Sequence, residues 1–297
     1  MLKLFCSRTL IAALVISATG FTHAAIGEVD SAAKLRAKYM LLKEPLRQNQ
    51  FKRPLVLDST EAQNRSKGDI YAVVDYPISA VNAGLTSPNH WCDVMLLHIN
   101  TKYCRAMEGP AGAVLKVNIG KKTPEELSDA PQVNFNYKQT MATPEYFEIV
   151  LNAQEGPMGT SDFRILLEAV SLPNSKTFLH LTYSYAVNFA GRVAMQTYLK
   201  TVGSRKVGFT VIGKQPDGQP NYIGGVRGLI ERNTMRYYLA IDSFLAAARV
   251  VPEAQFEQRI QNWFSAVERY PRQLHEVERG DYLEMKRAEY LRQQTVQ

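Results

Sequence analysis

Five stretches between residues 115 and 187 alternate apolar and polar side chains, and this alternation constrains the fold more than any other feature of the chain. Leu115, Val117 and Ile119 alternate with Lys116 and Asn118. Val133, Phe135 and Tyr137 alternate with Asn134, Asn136 and Lys138. Phe147, Ile149 and Leu151 are offset by Glu148 and Asn152, and Phe163, Ile165 and Leu167 by Arg164 and Glu168. The last stretch runs Leu179, Leu181, Tyr183, Tyr185, Val187, with His180, Thr182, Ser184 and Ala186 between. Successive side chains on a strand point to opposite faces, so this pattern predicts an antiparallel sheet with one buried and one wet face. A sheet with one apolar face must cover it. Residues 225–248 supply the cover, with Val226, Ile230, Tyr237, Ile241, Phe244 and Ala248 in one stripe at helical spacing and Arg232 and Arg236 off it. The expected class is α+β: a curved antiparallel β-sheet wrapped around a long C-terminal helix, with extra helical segments at both ends.

The remaining segments follow from local chemistry. Leu35, Tyr39 and Leu42 predict a helix over 28–48 that Pro45 ends or bends. Residues 55–57 and 70–74 read as a hairpin around the turn-rich stretch 63–69. Short helices are expected at 77–85 and from Pro88 through Trp91 to His98. A helical insertion is expected over 189–202, a strand over 207–212, and charged helices over 253–294 with Trp263 and Phe264 on an apolar face. This order divides the chain into a leader at 1–24, a helical segment at 25–50, a domain at 51–250 and a charged extension at 251–297.

The leader reads as a cleavable signal peptide. Lys3 and Arg8 precede an apolar run over 10–17, and small residues at Thr22 and Ala24 place cleavage before Ala25. The run is too short to span a bilayer, which needs about 20 apolar residues. The expected location is periplasmic or secreted. Cleavage removes Lys3 and Arg8, taking the net charge from +7 to +5. Basic residues concentrate at 34–53 and 192–236, which suits peripheral contact with an anionic membrane surface or a plain solvated face. Nucleic acid is not an expected partner. Cleavage also leaves two cysteines, Cys92 and Cys104. In an oxidising compartment they predict one disulfide, with two buried thiols as the alternative.

Three stretches carry a resemblance to a known family. Residues 68–77 (GDIYAVVDYP) resemble a strand leading into a first short helix. Residues 85–91 (LTSPNHW) resemble the loop and helix that follow, and 222–229 (YIGGVRGL) the approach to a C-terminal helix. In element order over about 54–248 the chain is similar to the START-like, helix-grip superfamily of lipid-transfer and polyketide-cyclase-like domains. The resemblance implies a hydrophobic cavity that binds a lipid, a sterol or another apolar small molecule. Some such relatives are cyclases or hydrolases.

No nucleophile elbow, phosphate loop or zinc spacing stands in the chain, and no cofactor, metal or catalytic residue is expected. His90, His98, His180 and His275 read as structural or surface histidines, His180 on the wet face of its strand. The glycines at 224, 225 and 228 read as a turn before a helix, with anion binding as the alternative. Candidate cavity residues on the sheet side are Phe147, Ile165, Leu181, Tyr183 and Tyr185. On the helix side they are Trp91, Ile230, Tyr237, Ile241 and Phe244, with Arg227 at the entrance as partner for an anionic headgroup. Three functions fit: a carrier of a hydrophobic small molecule, an enzyme of the same fold, or an envelope protein–protein interaction module that exposes Trp263 and Phe264.

Overall fold

The computed structural model describes residues 21–109, 112–201 and 203–295. The leader predicted at 1–24 lies outside them except for 21–24. Eight strands form one antiparallel sheet: β1 (Leu55–Glu61), β2 (Arg65–Val74), β3 (Thr101–Gly109), β4 (Gly112–Ile119), β5 (Gln132–Ala142), β6 (Tyr146–Glu155), β7 (Thr160–Leu172) and β8 (Lys176–Val187). The spatial order is β1-β2-β8-β7-β6-β5-β4-β3. From β3 to β8 the chain meanders. Two short helices, α2 (Ile78–Leu85) and α3 (Pro88–Leu97), carry it from β2 to the far edge. The last strand of the meander returns beside β2, with Ile70 opposite Leu181.

Helix α4 (Phe189–Lys200) and the small hairpin β9 (Val211–Lys214) and β10 (Pro220–Tyr222) precede α5 (Gly225–Ala246). Helix α5 covers the inner face of the sheet. The apolar residues of the alternating stretches meet it there, so Leu115, Phe135, Ile149, Leu167 and Leu181 share one core with Ile230, Ile241 and Phe244. Pro88 starts α3, where its missing N–H is not needed. Trp91 of this helix is fully buried and donates its indole N–H to the Leu85 carbonyl at 2.7 Å. Cys92 and Cys104 form a disulfide that joins α3 to β3, their Cα atoms 5.1 Å apart.

Tertiary packing overrode several local expectations. The turn read at 63–69 is confined to 62–64, and Arg65–Asp69 are strand. Gly68 is needed there because a Cβ would lie 2.2 Å from Thr234 Oγ1 of α5. The strand expected at 207–212 begins only at Val211. Residues 209–210 turn their N–H groups to the buried Glu231 carboxylate, at 2.6 and 2.9 Å, instead of to a strand partner. The glycines before α5 serve packing: a Cβ on Gly228 would meet the Ile223 carbonyl at 2.9 Å. Arg232 and Arg236 are buried, because α5 is enclosed on both sides rather than laid on the surface.

Strand β3 has no apolar alternation to announce it. Its Lys102 is fully buried and pairs with Glu289 at 3.0 Å. Glu289 lies on α8 (Arg279–Thr295), which follows α6 (Pro252–Val267) and the single turn α7 (Pro271–Leu274). The apolar patch expected at Trp263 and Phe264 is not exposed. Both residues are buried in the main core, where Trp263 stacks on Tyr282 with ring centroids 4.8 Å apart. The interaction-module reading loses the surface it needed.

The outer face of the sheet is not all wet. Helix α1 (Phe21–Arg47) lies over part of it, ending two residues past Pro45. Leu35 and Leu46 of α1 cluster with Tyr146, Val170 and Phe178. Beside this cluster His180 is buried, contrary to its expected exposure. It stacks on Tyr71 and lies between Glu168 (2.8 Å to Nδ1) and Asp69 (2.9 Å to Nε2).

Candidate functional site

The sheet and α5 are packed solid along most of their contact and part at one end. A cavity of about 330 Å³ opens there. Its walls come from segments far apart in the chain. β7 and β8 contribute Phe163, Tyr183 and Tyr185, and α5 contributes Leu229, Arg232, Asn233, Arg236 and Tyr237. Gly191 and Met195 of α4, Pro157 and Met158 of the β6–β7 link, and the 98–101 turn after α3 complete it, with Ile119 and Lys122 beside them. Apolar and aromatic surface dominates its wall, with polar and basic side chains gathered among it, in the size range of roughly 300–1,000 Å³ usual for small-molecule pockets.

Of the residues expected to line a cavity, Tyr183, Tyr185 and Tyr237 do so. Trp91, Phe147, Ile165, Leu181, Ile230, Ile241 and Phe244 lie instead in the solid part of the core. Arg227 is not at the entrance. It donates from Nε and Nη2 to Ser59 Oγ, both at 3.1 Å, beside a surface groove shared with Arg65 and Arg192. A larger hollow of about 670 Å³ lies between residues 121–129 and α8. Charged side chains of both signs line it, and no residue of α5 or the main sheet does, so it is a solvated groove outside the grip.

Alternation on β8 sends Tyr183 and Tyr185 inward, while α5 presents Tyr237 from the opposite wall. The rings of Tyr183 and Tyr237 meet at 5.1 Å, and neither hydroxyl has a hydrogen-bond partner among the described residues. Burial drives the Tyr183 and Tyr237 hydroxyls well above their ordinary pKa and that of Tyr185 to about 12, so all three stay protonated. His98, the C-cap residue of α3, stacks on Tyr237 at 4.8 Å. Burial, then the nearby cations Arg236, Lys286, Lys122 and Lys102, hold its pKa well below 6.5. The ring is neutral. Its Nδ1 accepts the Asn100 backbone N–H at 3.2 Å, so the proton sits on Nε2. That Nε2–H is buried and has no partner among the described residues.

Basic side chains gather near the polar side of the cavity. Arg236, Lys122 and Lys206 converge on one carboxylate, Glu276, at 2.7, 2.8 and 3.0 Å. Burial would raise the Glu276 pKa, but Arg236 and Lys122 outweigh it and bring it down to about 2. Among the described residues, no acidic side chain lines the cavity wall. Sequence reading found the aromatic wall but passed over Met158, Leu229, Lys122 and both arginines. The basic stretch 192–236 was the only signal for the latter, and it does not tell a surface arginine from a buried one.

No protein-family model matches the sequence, and no curated protein does. Solved structures similar to this chain include an aromatase/cyclase from Streptomyces sp. R1128, at 15% identity and TM-score 0.38, covering 66% of this chain and 96% of that one. A truncated norcoclaurine synthase from Thalictrum flavum is 12% identical, with TM-score 0.32, over 49% of this chain and 90% of that one. A conserved protein from Geobacillus kaustophilus is 15% identical, with TM-score 0.31, over 46% and 85% respectively. Likenesses this distant carry no weight for activity or substrate. Two helices between the first strands, an antiparallel meander that returns beside β2, and a long helix across the inner face give this chain the helix-grip fold.

Proposed function

We propose that the mature chain is an exported binding or carrier protein for a hydrophobic small molecule, lipid or sterol-like, held in the cavity between the sheet and α5. The observation that carries this reading is the cavity itself: about 330 Å³ of mostly apolar and aromatic wall at the open end of an otherwise solid interface. Export is supported by the signal-peptide pattern at 1–24 and by the Cys92–Cys104 disulfide, a bond that persists in oxidising compartments. Binding without chemistry is supported by the titration behaviour of the polar groups. A general acid or base works best with a pKa near the operating pH, whereas His98 is held down and the tyrosines up.

Loading from a membrane fits the rim. Met158 on the cavity wall is 79% exposed, Phe189 at the start of α4 is 81% exposed, and α4 also carries Arg192 and Lys200. Apolar tips among cations suit an anionic bilayer surface.

Native mass spectrometry of mature protein from its own envelope, followed by organic extraction, tests the carrier reading. A stoichiometric apolar molecule is expected. Leu229→Trp, which fills the cavity from α5, is expected to abolish its retention. A ligand-free mass, with no uptake of added lipids or sterols, would refute the proposal. Co-sedimentation with vesicles tests the rim: binding to phosphatidylglycerol vesicles but not phosphatidylcholine vesicles is expected, and Phe189→Ser should reduce it.

A further inference from the structure

We propose that the cavity selects apolar molecules ending in an anionic oxygen group, such as a carboxylate, and that His98 Nε2–H together with the Tyr183 and Tyr237 hydroxyls receives that group. The inference rests on the binding reading above and adds the chemical class of the ligand.

Three observations carry it. The first is the unpartnered donor. His98 is 5% exposed and lines the cavity, and its Nδ1 is occupied by the Asn100 N–H, so Nε2–H is the donor left over. A buried donor without an acceptor is costly, and an oxygen ligand would recover that cost. The second is the pair of tyrosine hydroxyls on opposite walls, Tyr183 on β8 and Tyr237 on α5, neither with a partner among the described residues. Tyr237 also stacks on the His98 ring, so the three groups belong to one end of the cavity. The third is the sign of the field. Arg232, Arg236 and Lys122 line the wall and, among the described residues, no carboxylate does. Three cations, Arg236, Lys122 and Lys206, share the carboxylate of Glu276.

The same arrangement disfavours other ligands. A cationic amine would meet Lys122 and the arginines in a site of low dielectric, where like charges repel strongly. A pure hydrocarbon would leave the His98 donor unsatisfied. The apolar wall of Phe163, Met158, Met195 and Leu229 takes the rest of the molecule.

Two fluorescent probes separate this inference from the binding reading. 8-Anilinonaphthalene-1-sulfonate carries an anionic group, and N-phenyl-1-naphthylamine is the same apolar body without it. Both should bind the mature protein, the sulfonate about tenfold more tightly, as one hydrogen bond to a charged group predicts. His98→Leu should remove that advantage and leave the neutral probe unaffected. Tyr237→Phe deletes only a hydroxyl, and so guards against a misfolded His98 variant; it should weaken the sulfonate several-fold and spare the neutral probe. Leu229→Trp should abolish both. Equal affinity for the two probes, or an equal loss of both in His98→Leu and Tyr237→Phe, would overturn the anionic selectivity and leave the carrier reading standing. Sulfonate binding that survives Leu229→Trp would place it on the surface and overturn the selectivity too. Binding of neither probe would overturn both readings.

Discussion

The two faces of the main sheet shift their buried histidines in opposite directions. On the inner side His98 is neutral, surrounded by cations, with one donor unmatched. On the outer side burial disfavours the His180 imidazolium, yet hydrogen bonds to Asp69 and Glu168 outweigh it and raise the pKa. Asp69 and Glu168 are shifted down in turn: burial would raise them, but hydrogen bonds from His180, with Lys67 and Thr182 on Asp69 and Tyr146 on Glu168, win. The outer cluster is complete in itself. It ties β2, β8 and β7 together beside α1 and has no group left to offer. The inner cluster leaves the His98 Nε2–H without a partner among the described residues, beside the cavity. Burial alone therefore does not set the direction in which a histidine titrates; the balance of its partners does.

The largest test of this contrast is packing. Phe147 lies in the continuous inner core and Phe178 in the small outer cluster under α1, and both are fully buried. Phe147→Ala is expected to cost about 4–5 kcal/mol and Phe178→Ala about 3, because α1 can settle onto the gap while the enclosed core cannot. Urea unfolding measures both, and equal costs would break the distinction between the faces. Next comes the disulfide on the inner side. Replacing Cys92 and Cys104 by Ala should cost about 3 kcal/mol for a loop of this length, with a sequence separation of 12. A loss much below this would mean that Trp91 and the α8 contacts already hold α3 against β3.

The pH dependence of stability sharpens the comparison. His180 is raised in the folded state, so its contribution is fully present below the unfolded pKa of 6.5 and is lost as pH rises through the folded pKa. Asp69 and Glu168 are lowered, so theirs is present above about 4 and lost at lower pH. His180→Gln should therefore be destabilised most between these limits, with the gap to wild type narrowing above pH 6.5. His98 has the reverse sign: below pH 6.5 the unfolded chain takes a proton that the folded chain refuses, so stability falls with falling pH. His98→Leu should flatten that acid slope. Matching slopes for the two variants would show that both histidines sit in similar environments. The smallest effect belongs to the exposed Arg36–Glu145 pair, which links α1 to the sheet. Glu145→Gln should change stability by no more than about 0.5 kcal/mol, and a larger loss would mean that α1 is held by charge rather than by Leu35 and Leu46.

Sequence periodicity determined the architecture. Alternation sends Leu181, Tyr183 and Tyr185 to one face, and 3.6-residue spacing brings Ile230, Tyr237 and Ile241 against it; both are properties of the backbone that side-chain order reveals directly. The three tyrosines of the site were legible for the same reason. Strand β3 was not, since its buried Lys102 is tolerated only because Glu289, far along the chain, lies against it. The cavity wall was legible only in part, because Met158, Gly191, Leu229 and Lys122 belong to four segments that no local pattern relates. Tertiary structure alone decided where sheet and helix part, which arginines are enclosed, and in which direction each buried histidine is shifted. Each of these depends on the groups that arrive from elsewhere in the chain, and desolvation and pairing energies depend on those neighbours rather than on the residue itself.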